Sequence, residues 1–294
     1  MSEIFSDADP SVLPEGAIDV HVHTSPDLID RYESDLQLAH EAVRTDMDAV
    51  VVKSHVVPTA GRVDLVNEAI GTDVLYGGIA LNGSVGGLNR DAVETALQLD
   101  GRIVWLPTAW SRNHASKARD AGESRFVGQR VPDATEEISV VRDGSVTPPT
   151  REIIELAKEY DATIGTGHVS PRAASAIVDA CNDIGVTCLV NHPCFRVVDI
   201  PFDQQVAMAE KGAIMEYCAY SVESTTGHSV ARVAEAINRI GPENCLLATD
   251  FGQASNPPVP GLASFFESVV EAGVDRIIAE ETVTATPARV LHLD

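Results

Sequence analysis

Ile18-Asp19-Val20-His21-Val22-His23 decides the reading of this chain. Ile18 and Val20 give it strand character, and Thr24-Ser25-Pro26 ends the run. A strand alternates its faces, so His21 and His23 point the same way, one repeat apart. Two imidazoles fixed on one face at a strand end form a chelating pair for a borderline metal such as zinc. An isolated His-x-His is equally read as two satisfied histidines. The rest of the sequence weighs for the chelating pair, because an apolar run ending in a metal-competent side chain recurs several times.

The recurring runs are Ala17–His23, Ala49–Ser54, Val74–Leu81, Arg102–Leu106, Ala162–Gly167, Val186–Asn191, Ala213–Cys218 and Asn244–Asp250. Most are rich in Val, Ile and Leu with no polar alternation at their centres, as in parallel strands buried on both faces. Helical patterns separate them. Asp35–Thr45 places Leu36, Ala39, Val43 and Met47 on one stripe, and Thr150–Tyr160 carries Ile153, Ile154, Ala157 and Tyr160 at helical spacing. Ser170-Pro171 opens a helix with an N-cap and a first-turn proline, and Gly241-Pro242 stops Ala231–Ile240. Eight strands, each followed by a helix, predict a (β/α)8 barrel of TIM type. A doubly wound open sheet is the alternative by count, but it usually carries a glycine-rich turn after its first strand, where this chain has His-x-His. With no linker, low-complexity tract or internal repeat, residues 1–294 are expected to form a single domain.

Between the fourth strand, ending near Pro107, and a helix starting near Pro149 lie roughly forty residues, far more than the usual βα connection. The segment carries Trp110, Arg112, His114, Arg119, Arg125 and Arg130, and Ile138–Val141, Asp143-Gly144 and Ser145–Thr147 read as a hairpin with an Asp-Gly turn. Long loops on this face of a barrel tend to be lids or specificity elements, against the alternative of a solvated excursion.

Composition narrows the partners. Of 294 residues 44% are hydrophobic, enough for a large core. Acidic residues outnumber basic ones 44 to 21, for a net charge of −23, which disfavours nucleic acid and anionic membranes. Only Lys53, Lys117, Lys158 and Lys211 are lysines, a balance resembling proteins of salt-accumulating archaea; an ordinary acidic enzyme is the other reading. The first ten residues are acidic and polar, unlike a secretory signal, and no apolar run has the length of a membrane span. Cys181, Cys188, Cys194, Cys218 and Cys245 lack Cys-x-x-Cys spacing and read as reduced core residues. The expectation is a cytoplasmic protein acting on a small molecule; the sequence leaves room for a homo-oligomer.

In a barrel the C-terminal strand ends meet around one opening. Strand one brings His21 and His23 there, strand two Lys53 and His55, strand five His168, strand six His192 and strand eight Asp250. His114 and His228 fall in loops on the same side, leaving only His40 and His292 of nine histidines elsewhere. Imidazoles with one carboxylate match a hydrolytic zinc or manganese site with open coordination positions. Lys53 among such ligands requires an anion nearby, with Asp19 and Glu216 as candidates. Asn82–Asn89 could cradle an anion through its backbone amides or merely turn tightly, and Arg31 is a candidate carboxylate clamp or a solvated arginine.

These strand ends, with Thr286-Pro287-Ala288-Arg289-Val290-Leu291, resemble the amidohydrolase superfamily over essentially the whole chain. Lys53-Ser54-His55, Leu81–Asn89, Trp105-Leu106-Pro107-Thr108 and Thr249-Asp250-Phe251-Gly252-Gln253 are similar to the uncharacterised family DUF6282. The resemblance implies a metal-dependent hydrolase in which His21, His23 and Asp250 hold the more buried ion (zinc, with manganese or iron as alternatives). His168 and His192 would hold a second ion, or act in a one-metal site as ligand and substrate-polarising group. Asp250 would be general base, then acid. His55, Arg31, Asn82, His114 and Glu216 are expected to line the substrate. One departure stands out: many two-metal members bridge the ions with a carboxylated lysine or a glutamate on strand four, but Trp105-Leu106-Pro107-Thr108 offers neither. Lys53, if carboxylated, or Glu216 could substitute, or the site is mononuclear; the favoured expectation is an unmodified Lys53 orienting substrate beside one metal. An amide, lactone or ester is the expected substrate. Phosphoester hydrolysis and a non-catalytic metal-binding barrel are alternatives, while His168-Val169-Ser170-Pro171 lacks the glutamate of related deaminases.

Overall fold

The computed structural model describes residues 5, 9–122, 137–224 and 229–293. Arg125, Arg130 and His228 lie outside the described residues.

The expected strands form, all in parallel: β1 Ile18–Val22, β2 Ala49–Val52, β3 Leu75–Tyr76, β4 Gly78–Ala80, β5 Ile103–Trp105, β8 Thr163–Gly165, β9 Cys188–Asn191, β10 Ile214–Cys218 and β11 Cys245–Ala248. β3 and β4 are two halves of the third barrel strand, interrupted at Gly77. The interruption has a packing cause. A Cβ on Gly77 would lie 2.5 Å from the Ala60 nitrogen and one on Gly78 2.1 Å from the Ile103 carbonyl oxygen, so the backbones touch where any side chain would intrude.

The ring closes between its first and last strands. The Asp250 amide donates to the His21 carbonyl at 2.8 Å, and the His23 amide donates to the Phe251 carbonyl at 2.8 Å. A parallel bridge joins Val22 to Phe251. With neighbouring strands paired on either side, the chain is a (β/α)8 barrel.

Period-two alternation sorts the interior by depth. Ala49-Val51-Lys53, Leu189-Asn191, Ile214-Glu216-Cys218 and Leu246-Ala248-Asp250 each share one strand face, apolar at the start and polar at the end. Val51, Ile103, Trp105, Leu189, Ile214, Leu246 and Ala248 belong to one buried cluster, with Val290 and Leu291 of the terminal helix Ala285–Leu291. Thr163 Oγ1 donates to the Val290 carbonyl at 2.7 Å, so this helix covers the ring at the N-terminal strand ends. A larger cluster, including Val50, Ile79, Val104, Ile164, Val190 and Leu247, packs the outer strand faces against the helices.

The helical stripe of α1 (Asp35–Arg44) needs correction. Its buried residues are Asp35, Leu38, Ala39 and Ala42, while Leu36 and Val43 are 45% and 46% exposed. Small residues let this helix sit close to its neighbours, and the larger apolar side chains at Leu36 and Val43 turn to solvent. After the fourth barrel strand, Arg112–Ala121 is helical (α4), capped by Ser111, whose hydroxyl accepts from the His114 amide at 3.1 Å. β6 (Val141–Arg142) and β7 (Ser145–Val146) form the hairpin, with Asp143 and Gly144 both at positive φ, as a type I′ turn demands. No helix among the described residues is long and apolar enough to cross a membrane.

Candidate metal centre

The closing seam brings His21 and His23 against Asp250. Their Nε2 atoms lie 3.1 and 3.0 Å from the same carboxylate oxygen, Asp250 Oδ1. Those separations are close to the edge of a tetrahedron with metal–ligand bonds of about 2.0–2.1 Å. Asp250 has φ 54° and His192 φ 29°, left-handed backbone that non-glycine residues avoid. Such strain persists where surrounding contacts over-determine it. At Asp250 those contacts include Asp19, whose Oδ1 accepts the His21 and Thr249 amides at 3.0 and 3.2 Å and whose Oδ2 accepts the Thr249 hydroxyl at 2.6 Å. Gly252 has φ 115°, and a Cβ there would fall 1.7 Å from the His23 carbonyl oxygen.

A second layer lies beneath. Glu216 Oε2 is 3.3 Å from His21 Nδ1 and accepts from Asn191 Nδ2 at 2.9 Å and the His192 amide at 3.3 Å. Cys218 Sγ is 3.9 Å from His21 Nδ1. His21, Cys218 and Asp250 bring three potential ligand atoms within 4.8 Å of one another. Glu216 is fully buried, with its carboxylate against His21, Asn191 and His192.

Lys53 is buried too, with Nζ 3.0 Å from His21 Nε2 and 5.3 Å from the centre of the Trp105 ring. It makes no ion pair with Asp19 or Glu216 within 4.0 Å among the described residues, so of the alternatives open for Lys53 that pairing is not the one formed. Its strand faces the seam, where a ring nitrogen is its nearest partner.

His168 and His192 form the other half of the cluster, ring centres 4.8 Å apart, with His192 5.8 Å from His21. Among the described residues neither ring nitrogen of His192 has a hydrogen-bond partner, nor do His23 Nδ1 and Glu216 Oε1. Buried donors and acceptors are rarely orphaned without a functional reason. His114 stacks on His168 at 4.9 Å with its Nδ1 2.6 Å from His168 Nδ1. His114 therefore packs directly on a candidate ligand. Ser111 Oγ and Asn113 Nδ2 donate to the His168 carbonyl at 2.7 and 3.2 Å, so α4 buttresses the same strand end.

Two further expectations change. Arg31 Nε and a terminal guanidinium nitrogen lie 3.0 and 2.7 Å from Asp27 Oδ2; its fork already holds a carboxylate of its own loop. The amides of Val85, Gly86, Gly87 and Asn89 are bonded within the Asn82–Asn89 turn, so these four are already used. Asn82 itself is buried and accepts the Thr108 amide at 2.9 Å while donating to Thr108 Oγ1 at 2.7 Å and the His55 carbonyl at 2.9 Å. It ties the end of the second barrel strand to that of the fourth. His55 sits at the mouth, stacked 4.8 Å from His23.

Charge is distributed to favour a cation. Burial opposes an imidazolium at His21, but the carboxylates of Asp250 and Glu216 outweigh it and raise its pKa. Burial would raise Asp250, yet His21 and His23 hold it well below the carboxylate range. Burial, then neighbouring positive charge, keeps His23, His55 and His168 neutral, and burial takes His192 to about 4. A divalent metal requires neutral imidazoles beside an ionised carboxylate; His23, His168, His192 and Asp250 are in that state, and His21 would release its proton on binding. The donor set therefore fits such an ion, and the unpartnered nitrogens of His23 and His192 fit it as well.

Thr249, Asn191, Cys218 and Thr108 contribute to the centre without having been singled out as its residues, and Asp19 was named only as a partner for Lys53. Strand parity was the available signal: Asp19 shares a face with His21 and His23, and Cys218 with Glu216.

Solved structures share this fold. A probable 2-pyrone-4,6-dicarboxylic acid hydrolase from Acinetobacter baumannii matches with a TM-score of 0.64 at 12% identity, covering 94% of this chain and 99% of that one. An amidohydrolase from Pseudomonas aeruginosa gives 0.58 at 13% identity, covering 96% and 97%. A zinc-bound amidohydrolase from Burkholderia multivorans gives 0.51 at 12%, covering 95% and 99%. No curated protein matches in sequence. The family of unknown function DUF6282 matches residues 16–216, and the chain belongs to that family.

Proposed function

We propose that this protein is a metal-dependent hydrolase of small-molecule amides, lactones or esters. The observation that carries the reading is the convergence of His21 Nε2 and His23 Nε2 on Asp250 Oδ1, at 3.1 and 3.0 Å, on the seam of a closed barrel. These three residues would hold one divalent ion, zinc by ligand type with manganese or iron as alternatives, and His192 or His168 would complete its shell. Bound there, the ion would supply Lewis-acid polarisation and a hydroxide nucleophile at neutral pH.

The chain's own groups supply the rest. Asp250, ionised at neutral pH, accepts the proton of the attacking water and returns it to the leaving group. Asp19 and Thr249 keep the Asp250 backbone in its strained turn, so the carboxylate is aimed before substrate arrives. Lys53, unmodified, orients substrate from beside His21 in a one-metal site. Phosphoester cleavage is less well supported, because Arg31 already binds Asp27.

The test is metal analysis of the purified protein, followed by an ester, lactone and amide panel. One ion per chain, loss of turnover on chelation and recovery on adding zinc are expected, with His21→Ala losing the ion. Full turnover in metal-free protein would refute the reading, and a metal-loaded protein inert across the panel would favour a non-catalytic barrel.

A further inference from the structure

The hydrogen bonds around Asn82 define the protonation of a ring at the mouth. Backbone N–H groups can only donate, and those of Thr108 and Trp110 reach one atom of the Asn82 amide, at 2.9 and 3.4 Å; that atom is Oδ1. The other atom lies 2.9 Å from the His55 carbonyl, which can only accept, so it is Nδ2. Nδ2 also reaches Thr108 Oγ1 at 2.7 Å and must donate there. Thr108 is fully buried, so its own hydroxyl proton needs an acceptor, and His55 Nδ1 lies 2.9 Å away. The polarity of the chain therefore runs Asn82 to Thr108 to His55. His55 Nδ1 accepts, and a neutral ring carries its proton on Nε2.

We propose that Asn82 and Thr108 lock His55 as a neutral imidazole protonated at Nε2, which donates a hydrogen bond to a carbonyl or carboxylate oxygen of the substrate. The inference rests on the hydrolase reading for its substrate, and on the hydrogen bonds alone for its tautomer. It distinguishes His55 from the histidines around it. A ring in this state cannot ligate a metal through Nε2 or take a proton there. It can neutralise charge developing on an oxygen, held in place by its stack on His23 and by the 6.0 Å edge contact with His168. Asn82 and Thr108 are positioning residues, and the two strands they join supply the rigidity.

The experiment is long-range proton–nitrogen correlation spectroscopy of the full chain labelled with nitrogen-15 histidine, with His55 assigned by its loss in His55→Gln. Wild type and Thr108→Ser should show His55 protonated at Nε2 and bare at Nδ1 at neutral pH; Thr108→Val should lose that preference. A wild-type ring protonated at Nδ1, or on both nitrogens, overturns the assignment, as does a Thr108→Val spectrum unchanged from wild type. On a substrate from the panel, His55→Phe, which keeps the stacking, should lose about 100-fold in kcat with its metal content unchanged, and His55→Gln, with an amide donor, should recover part of it. An undiminished kcat in His55→Phe refutes the donor role. If the panel yields no substrate the hydrolase reading falls, while the nitrogen spectrum still decides the tautomer.

Discussion

Gly252→Ala should damage stability and metal binding together. The added Cβ would lie 1.7 Å from the His23 carbonyl oxygen and 2.6 Å from its carbonyl carbon, well inside contact distance. The neighbour is backbone, not a side-chain tip, so relief requires moving the strand end that presents His23. The residue also sits at φ 115°, where an L side chain is strained at a cost of about 1–3 kcal/mol. Overpacking adds about 1–3 kcal/mol, so a total of about 2–6 kcal/mol is expected. At this chain length that corresponds to a fall in Tm of roughly 4–18 °C. Urea unfolding gives the free energy, and metal content of the folded variant gives the second readout. The amide of Gly252 donates to the Asn256 carbonyl at 3.1 Å, so the shift should propagate into the loop beside Asp250. A variant with wild-type midpoint and full metal content would refute the claim that close backbone approach at Gly252 sets the position of His23.

Asp250→Asn should lose turnover by at least about 100-fold while retaining part of its metal, because an amide oxygen can ligate but cannot take a proton from water; assays on a panel substrate with metal analysis check this. Glu33 is raised to about 7 by burial and the nearby Glu41, and its Oε1 has no hydrogen-bond partner among the described residues. Between the unfolded value near 4.5 and about 7 the folded state binds the extra proton, so its contribution to stability is present below the lower value and lost as pH rises through the upper one. Glu33→Gln should therefore stabilise the protein at pH 8 by roughly 1–2 kcal/mol, discounted for partial exposure, and have little effect at pH 4 in urea titrations. The net charge of −23 predicts a Tm that climbs from dilute buffer to molar potassium chloride as repulsion is screened, and a flat profile would count against a salt-adapted surface.

The barrel was legible because strands buried on both faces leave uninterrupted apolar runs, and their order with intervening helices leaves few topologies. The seam histidines were legible from parity: His21, His23 and Asp250 needed only the rule that strand ends share a mouth. Less legible was what each side chain meets. Arg31 read as a clamp or a solvated arginine, because residue types alone do not show that Asp27, four positions earlier, takes its guanidinium. The hydrogen bonds of Asn82 and the depth of Glu216 were not legible, because burial along a strand cannot be read from residue type. The α1 stripe was only half right: Ala39 and Met47 are buried, but Leu36 and Val43 turn to solvent and Leu38 and Ala42 take the inward side. Helix α4 was read as loop since its polar sequence carries no apolar period.

Closure of the ring between β1 and β11 has a consequence for assembly of the site. The Nε2 atom of His23 and the Oδ1 atom of Asp250 belong to residues 227 positions apart, so the binding geometry does not exist in any partial barrel. Bringing such distant segments together carries nearly the full chain-closure entropy, a cost that grows only slowly with further length. A cation held at the seam binds the joined ring and not the open one, and so adds its binding free energy to that last joining step. Cation affinity and ring integrity are then one thermodynamic quantity seen from two sides. Any substitution that loosens the seam, however remote from the imidazoles, would register as a weaker grip on the ion.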